Sequence, residues 1–130
     1  MDLFNIKKRE IFRFLIGGGS AVLVDYILYN ILLTRGVFLS ESKGLSFICG
    51  ATVGFIINKF WTFESLSFSK REIGRYVILY SLSAFVNTIA NKIVLFATDI
   101  GILAFLCATA VSTIMNFLGQ KFFVFRRNDE

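Results

Sequence analysis

Four apolar runs, each near the roughly 20 residues that an α-helix needs to cross the hydrocarbon of a bilayer, make up most of this 130-residue chain. They cover residues 12–33, 44–61, 76–96 and 100–123. Interruptions are sparse: Asp25 in the first, Lys59 near the end of the second, Asn87, Asn91 and Lys92 in the third, and Lys121 late in the fourth. A chain that is 55% hydrophobic, with 16 phenylalanines and no proline, cannot hide that much apolar surface inside so small a soluble body; lipid tolerates it where water does not. The runs lack the alternation of a membrane barrel, and open sheet edges have no partners in hydrocarbon. The fold class expected is an all-α membrane protein of four transmembrane helices, forming one transmembrane domain over residues 1–130.

Lys7, Lys8 and Arg9 ahead of the first run imitate a secretory leader, but the run is too long and no small-residue cleavage site closes it. It is expected to remain as the first span. Cys49 and Cys107 both lie within apolar runs, without metal-ligand spacing, and are predicted to pack as small hydrophobes. No metal and no cofactor is expected.

Cytoplasmic loops retain Lys and Arg, and here the bias is strong. Of 14 such residues, Lys7, Lys8, Arg9, Arg13, Lys59, Lys70, Arg71, Arg75, Lys121, Arg126 and Arg127 fall on one side, against Arg35, Lys43 and Lys92 on the other. Both termini and a central loop at 64–72 are therefore predicted to be cytoplasmic, leaving short outer connections at 34–42 and 97–101. The same distribution explains the net charge of +5 as membrane topology, so no nucleic-acid partner is expected.

The chain also repeats itself. An offset of 62 pairs Ile11 with Ile73, Arg13 with Arg75, Val24 with Val86, Leu33 with Leu95 and Phe55 with Phe117. It also pairs Lys59-Phe60-Trp61-Thr62-Phe63 with Lys121-Phe122-Phe123-Val124-Phe125, Asp25 with Asn87, and Asn58 with Gln120. Apolar matches between helices are cheap, but a base followed by an aromatic cluster at one constant offset marks duplication of a two-helix unit. The repeats are predicted at about 11–66 and 73–127, and an even number of spans in each makes them parallel. Ser46, Gly50, Gly54 and Asn58 stand four apart, mirrored by Ala108, Ser112, Asn116 and Gln120; Ala21, Asp25 and Tyr29 are mirrored by Ser83, Asn87 and Asn91. Small residues admit close backbone approach and polar ones bond between helices, so these stripes are expected to face one another.

An acid within a span is a functional candidate by default. For Asp25 two roles stay open: a polar step on a transport path, or a hydrogen bond across the bundle to Asn87 or Asn91. Asn116 and Gln120 likewise serve as interhelical glue or as ligands. Arg13, Lys59, Arg75 and Lys121 could simply snorkel beside an aromatic belt. Their repetition at one depth instead suggests a receptor for a phosphate headgroup, with Asn58 and Gln120 as amide donors.

Arg13-Phe14 with Gly17-Gly18-Gly19 and Asp25 opens the first helix, Asn58-Lys59-Phe60-Trp61-Thr62-Phe63 closes the second, Arg75-Tyr76 opens the third, and Lys121-Phe122-Phe123-Val124-Phe125-Arg126 closes the fourth. In that order these pieces resemble the GtrA-like family of small four-helix proteins of bacterial envelope polysaccharide pathways, over nearly the whole chain. The resemblance implies a protein of the bacterial cytoplasmic membrane, not an enzyme, that moves a polyprenyl-phosphate-linked sugar across it. It also implies membrane glycosyltransferases as partners. On that basis Lys59, Lys121, Arg13, Arg75, Asn58 and Gln120 are expected to bind the lipid phosphate. Asp25, Asn87, Asn91, Asn116 and Ser112 would then form the polar translocation seam. Four helices make a thin bundle for such a lipid, so a homodimer or larger assembly is expected, joined through Gly50 and Gly54. A scaffold that recruits a glycosyltransferase without transporting is the alternative. A small proton-coupled drug exporter with Asp25 as its acid fits less well, because the charge bias opposes dual insertion.

Overall fold

The computed structural model describes residues 6–66 and 69–125; Arg126, Arg127 and the end of the second predicted repeat lie outside the described residues. Helix α1 is Lys8–Thr34 and α2 is Leu39–Ile57, which runs on into a π-helical turn at Asn58–Thr62. Helix α3 is Lys70–Thr98 and α4 is Gly101–Gly119, which runs on into a second π-helical turn at Gln120–Val124. All four helices are long and apolar enough to cross a membrane, and no strand occurs among the described residues.

The helices extend past the apolar runs at their charged ends, α3 starting at Lys70 rather than near 76. Hydrophobicity ends where lipid ends, but a helix ends where its terminal N–H groups find caps. The Ser69 hydroxyl accepts from the Arg71 N–H at 3.0 Å, Glu72 adds negative charge in the first turn, and Glu10 Oε1 accepts from the Lys7 N–H at 3.1 Å at the head of α1. Helix α1 closes on Gly36, whose φ of +86° supplies the left-handed residue that lets Val37 N–H reach Leu32 O and Gly36 N–H reach Leu33 O, both at 3.1 Å. The connections are correspondingly shorter than expected, 35–38 and 99–100.

By internal contacts the chain forms two compact units, Met1–Leu66 and Ser67–Glu130. In the first, α1 packs on α2 and its π turn; in the second, α3 packs on α4 and its π turn. The buried stripe of α2 is Ser42, Ser46, Gly50 and Gly54, continued by Asn58 and Thr62 in the π turn. That of α4 is Ala104, Ala108, Ser112 and Phe117. Large apolar side chains are turned outward instead, for example Val22 at 69% exposure and Phe85 at 64%. This inversion suits lipid: tails solvate leucine and phenylalanine, so helices associate through small and polar residues.

Gly50 shows how close the approach is. A Cβ built there would lie 2.5 Å from Ala21 O and 3.1 Å from Asp25 Cβ, so this glycine, expected at a contact between chains, is engaged by α1 within its own unit. Gly54 is buried as well. Cys107 is half-buried, but Cys49 is exposed, beside exposed Phe47 and Ile48. It is thus a small hydrophobe on the outward face of α2 rather than the packing residue expected.

Candidate functional site

Each unit brings an arginine of its first helix and a lysine of its second to the end where the π turn closes the second helix. A π turn inserts an extra residue into the helical path, and here it turns Asn58, Lys59 and Thr62 all to the buried side. The step is visible in the backbone: Phe63 N–H bonds Asn58 O at 2.9 Å, and Phe125 N–H bonds Gln120 O at 2.8 Å.

In the first unit Arg13 Nη1 donates to Trp61 O at 2.8 Å and to Glu64 Oε2 at 3.1 Å. Its guanidinium lies 5.0 Å from the Trp61 ring centroid. Arg9 Nη2 stands 3.7 Å from the same carboxylate oxygen. Lys59 has no exposed surface; Nζ donates to Ser65 Oγ at 3.3 Å and lies 5.4 Å from the Phe60 ring. Asn58 Oδ1 accepts from Thr62 Oγ1 at 2.8 Å, in space left by Gly17, where a Cβ would come within 2.7 Å of that oxygen. Phe14 and Phe63 rings meet at 6.3 Å beneath this layer.

The second unit repeats the clamp. Arg75 Nη1 donates to Phe123 O at 3.1 Å, with the guanidinium 5.3 Å from the Phe123 ring. Lys121 Nζ lies 5.7 Å from the Phe122 ring. Both arginines therefore reach 48 residues along the chain, to carbonyls that are themselves 62 residues apart. Gln120 is fully buried, as Asn58 nearly is, whereas Lys121 keeps part of its surface.

Asp25 and Asn87 tie the two helices of their units together farther along. Asp25 accepts from Ser46 Oγ at 2.6 Å and from Lys43 Nζ at 2.7 Å. Asn87 Nδ2 donates to Ala108 O at 3.2 Å and to Ser112 Oγ at 2.9 Å. Both contacts, 25 with 46 and 87 with 108, span 21 residues, so the two units share this pairing distance as well as residue types. Asn91 is half-buried. Asn116 Oδ1 is buried and has no hydrogen-bond partner among the described residues.

Sequence reasoning passed over three participants. Glu64 and Ser65 follow directly on the repeated motif and bond its two cations. The signal for Glu64 was a lone acid at a cluster of bases. Lys43, counted only as an outer-loop charge, is the ion-pair partner of Asp25; its signal was a base placed within helical reach of the acid across one short connection.

The family described as GtrA/DPMS, transmembrane domain, matches residues 13–125. That range begins at the arginine of the first clamp and ends at the phenylalanine whose N–H closes the second π turn, and the chain, a multi-pass membrane protein of paired helical units, belongs to the GtrA/DPMS transmembrane domain family.

Proposed function

We propose that this protein is a translocase that carries a polyprenyl-phosphate-linked sugar across the bacterial cytoplasmic membrane, acting as one transmembrane domain in the making or modification of cell-surface glycans. The observation that carries the reading is the twice-built basic end, an arginine bonded to the carbonyl of an aromatic residue beside a lysine over an aromatic ring. The family membership supplies the context. The polyprenyl tail is at home in lipid; the phosphate and sugar are not, since each polar group left unsatisfied in hydrocarbon costs several kcal/mol. Arg13, Arg75, Lys59 and Lys121 meet the phosphate, aided by Asn58 and Gln120. Asp25, Asn87, Asn91, Asn116 and Ser112 offer exchangeable hydrogen bonds along the way, and Asn116 Oδ1 is a buried acceptor suited to a sugar hydroxyl. The chain supplies no catalysis in this scheme: transport follows consumption of the lipid on the far side by a glycosyltransferase. A homodimer or larger assembly provides the path. The Asp25–Lys43 pair gives the acid a structural partner, which favours this reading over a proton-coupled exporter.

The test is transport itself. Purified protein in liposomes carrying a fluorescent polyprenyl-phosphate sugar should expose the label to an outside quencher at a protein-dependent rate. A rate equal to that of empty liposomes, with glycosylation still dependent on the protein in cells, would replace the translocase by the scaffold that recruits the glycosyltransferase.

The orientation is tested separately. After replacement of Cys49 and Cys107, single cysteines are placed at Ser40, Asp99 and Leu66, all exposed. An impermeant thiol reagent applied to intact cells should label Ser40→Cys and Asp99→Cys and spare Leu66→Cys until the membrane is opened, because the basic ends face inward. Equal labelling of all three would mean dual insertion.

A further inference from the structure

The two units join their helices at corresponding positions by different chemistry. In the first, Asp25 of α1 and Lys43 of α2 form an ion pair at 2.7 Å, and Ser46 Oγ donates to the other carboxylate oxygen at 2.6 Å. At the offset of 62 these three residues become Asn87, Phe105 and Ala108. Asn87 ties α3 to α4 through its amide, which donates to Ala108 O and Ser112 Oγ. A helix pair of this plan therefore holds without charge, as small and polar residues suffice to join helices in lipid. Charges within spans are costly to insert and mark the paths of substrates and ions, so the pair in the first unit calls for a use other than packing.

Its two members are placed unequally: the side chain of Asp25 is 17% exposed and that of Lys43 is 57% exposed. When Lys43 swings away, Asp25 keeps the Ser46 hydroxyl as a donor. Lys43 Nζ also lies 5.7 Å from the Tyr29 ring centroid, close enough for the ring to steady a cation. Its ammonium carries three N–H donors, of which the bond to Asp25 Oδ2 needs one. Lys59 follows 16 residues later on the same helical run, a rise of about 24 Å, against a hydrocarbon core of about 30 Å. The first unit thus carries a lysine towards each end of its second span.

We propose that Lys43 is a second phosphate-binding residue, at the end of the first unit opposite the Arg13 clamp, and that Asp25 is the counter-ion it gives up when a phosphate arrives. This rests on the translocase reading and supplies its far side. The clamp end takes up the anion, Lys43 receives it, and the pair with Asp25 re-forms when the phosphate leaves. The ammonium exchanges one anion for another and so keeps a charged partner in both states. The phosphate can belong to a lipid headgroup or to a free anion, and the chemistry is the same for both.

The experiment reads Lys43 itself in the unsubstituted full chain. Protein in phosphatidylcholine nanodiscs is treated briefly with an amine-acylating reagent, and the modified fraction of each lysine is measured by mass spectrometry of its peptides. Polyprenyl phosphate should slow acylation of Lys43 about fivefold or more. Polyprenol lacking the phosphate should change it less than about twofold, as should polyprenyl phosphate at Lys92, a cation of the second unit. Asp25→Asn removes the competing carboxylate but keeps an acceptor for Ser46, so half-protection of Lys43 should need about threefold less polyprenyl phosphate. Protection by millimolar inorganic phosphate would show that a free anion suffices, and protection by the lipid alone that the headgroup is the source; either keeps the assignment. Equal slowing by polyprenol and polyprenyl phosphate, or no slowing by any of the three probes, would overturn the site at Lys43. An unchanged half-protection in Asp25→Asn would overturn the exchange. Protein-dependent transport in liposomes without protection of Lys43 would leave the translocase reading standing. Protection of Lys43 with transport no faster than in empty liposomes would keep the site and remove that reading.

Discussion

Gly50→Val is expected to pull the first unit apart. The added Cβ would stand 2.5 Å from Ala21 O and 3.1 Å from Asp25 Cβ, and the first of these is helix backbone, which cannot turn aside as a side chain would. Overpacking typically costs about 1–3 kcal/mol where neighbours can adjust, so a clash against backbone belongs at the upper end, about 3 kcal/mol or more. Separating α1 from α2 would also stretch the bonds from Asp25 to Ser46 and Lys43. At Gly18 and Gly19 an added Cβ would meet nothing within 4 Å; Gly18→Ala and Gly19→Ala should be neutral or stabilising by roughly 0.5–1 kcal/mol, the helical cost of glycine. Trp61, the only tryptophan of the chain, sits at the Arg13 clamp and reports the unit directly. SDS titration followed by its fluorescence should show the midpoint falling for Gly50→Val alone, and an unchanged midpoint would refute the close approach.

The four spans and the small-and-polar stripes were legible because membrane burial leaves two independent marks in a sequence. Length of apolar run reports depth, and the four-residue spacing of Ser46, Gly50, Gly54 and Asn58 reports which face meets a partner helix; all four are buried. Helix ends were less legible, since Ser69 and Glu10 act through capping and not hydropathy. The π turns left no hydrophobic signature at all. Their consequence is that Lys59, adjacent to Asn58, is buried with it, where an interfacial lysine beside aromatics reads as a snorkelling one. Partners on loops were likewise hidden: Ser65 and Glu64 are placed by the turn geometry after Thr62, which apolar periodicity cannot describe. The faces that carry Asp25 and Asn87 were legible from spacing, but not the bonds these residues make, because periodicity gives a face and not a partner. Lys43 is the case in point, a single base that serves Asp25 through a bond of 2.7 Å.

In the second unit, exchanging the sizes of two residues in contact should be far better tolerated than changing either one. At the offset of 62, Gly17 corresponds to Leu79 and Ile57 to Gly119. In the first unit the small residue is on α1 and the large one on α2, where a Cβ on Gly17 would lie 3.1 Å from Ile57 Cγ2. In the second the arrangement is reversed: Gly119 on α4 faces Leu79 of α3, whose Cδ1 would clash with an added Cβ and whose Cδ2 would lie 2.7 Å from it. Leu79 is 5% exposed, so Leu79→Gly removes a buried side chain and is expected to cost about 2–5 kcal/mol through the cavity it leaves. Gly119→Ile alone forces Leu79 out of its seat, an overpacking cost of about 1–3 kcal/mol. The double variant rebuilds the contact as the first unit makes it, and the two losses should cancel in part, with a coupling of about 1–3 kcal/mol. Cys107, half-buried on α4, gives the readout after Cys49 is replaced: its alkylation rate in mild detergent should rise in each single variant and return most of the way in the double. Losses that simply add would mean that the two residues do not share one space, and that the size reversal between the repeats is coincidence rather than compensation.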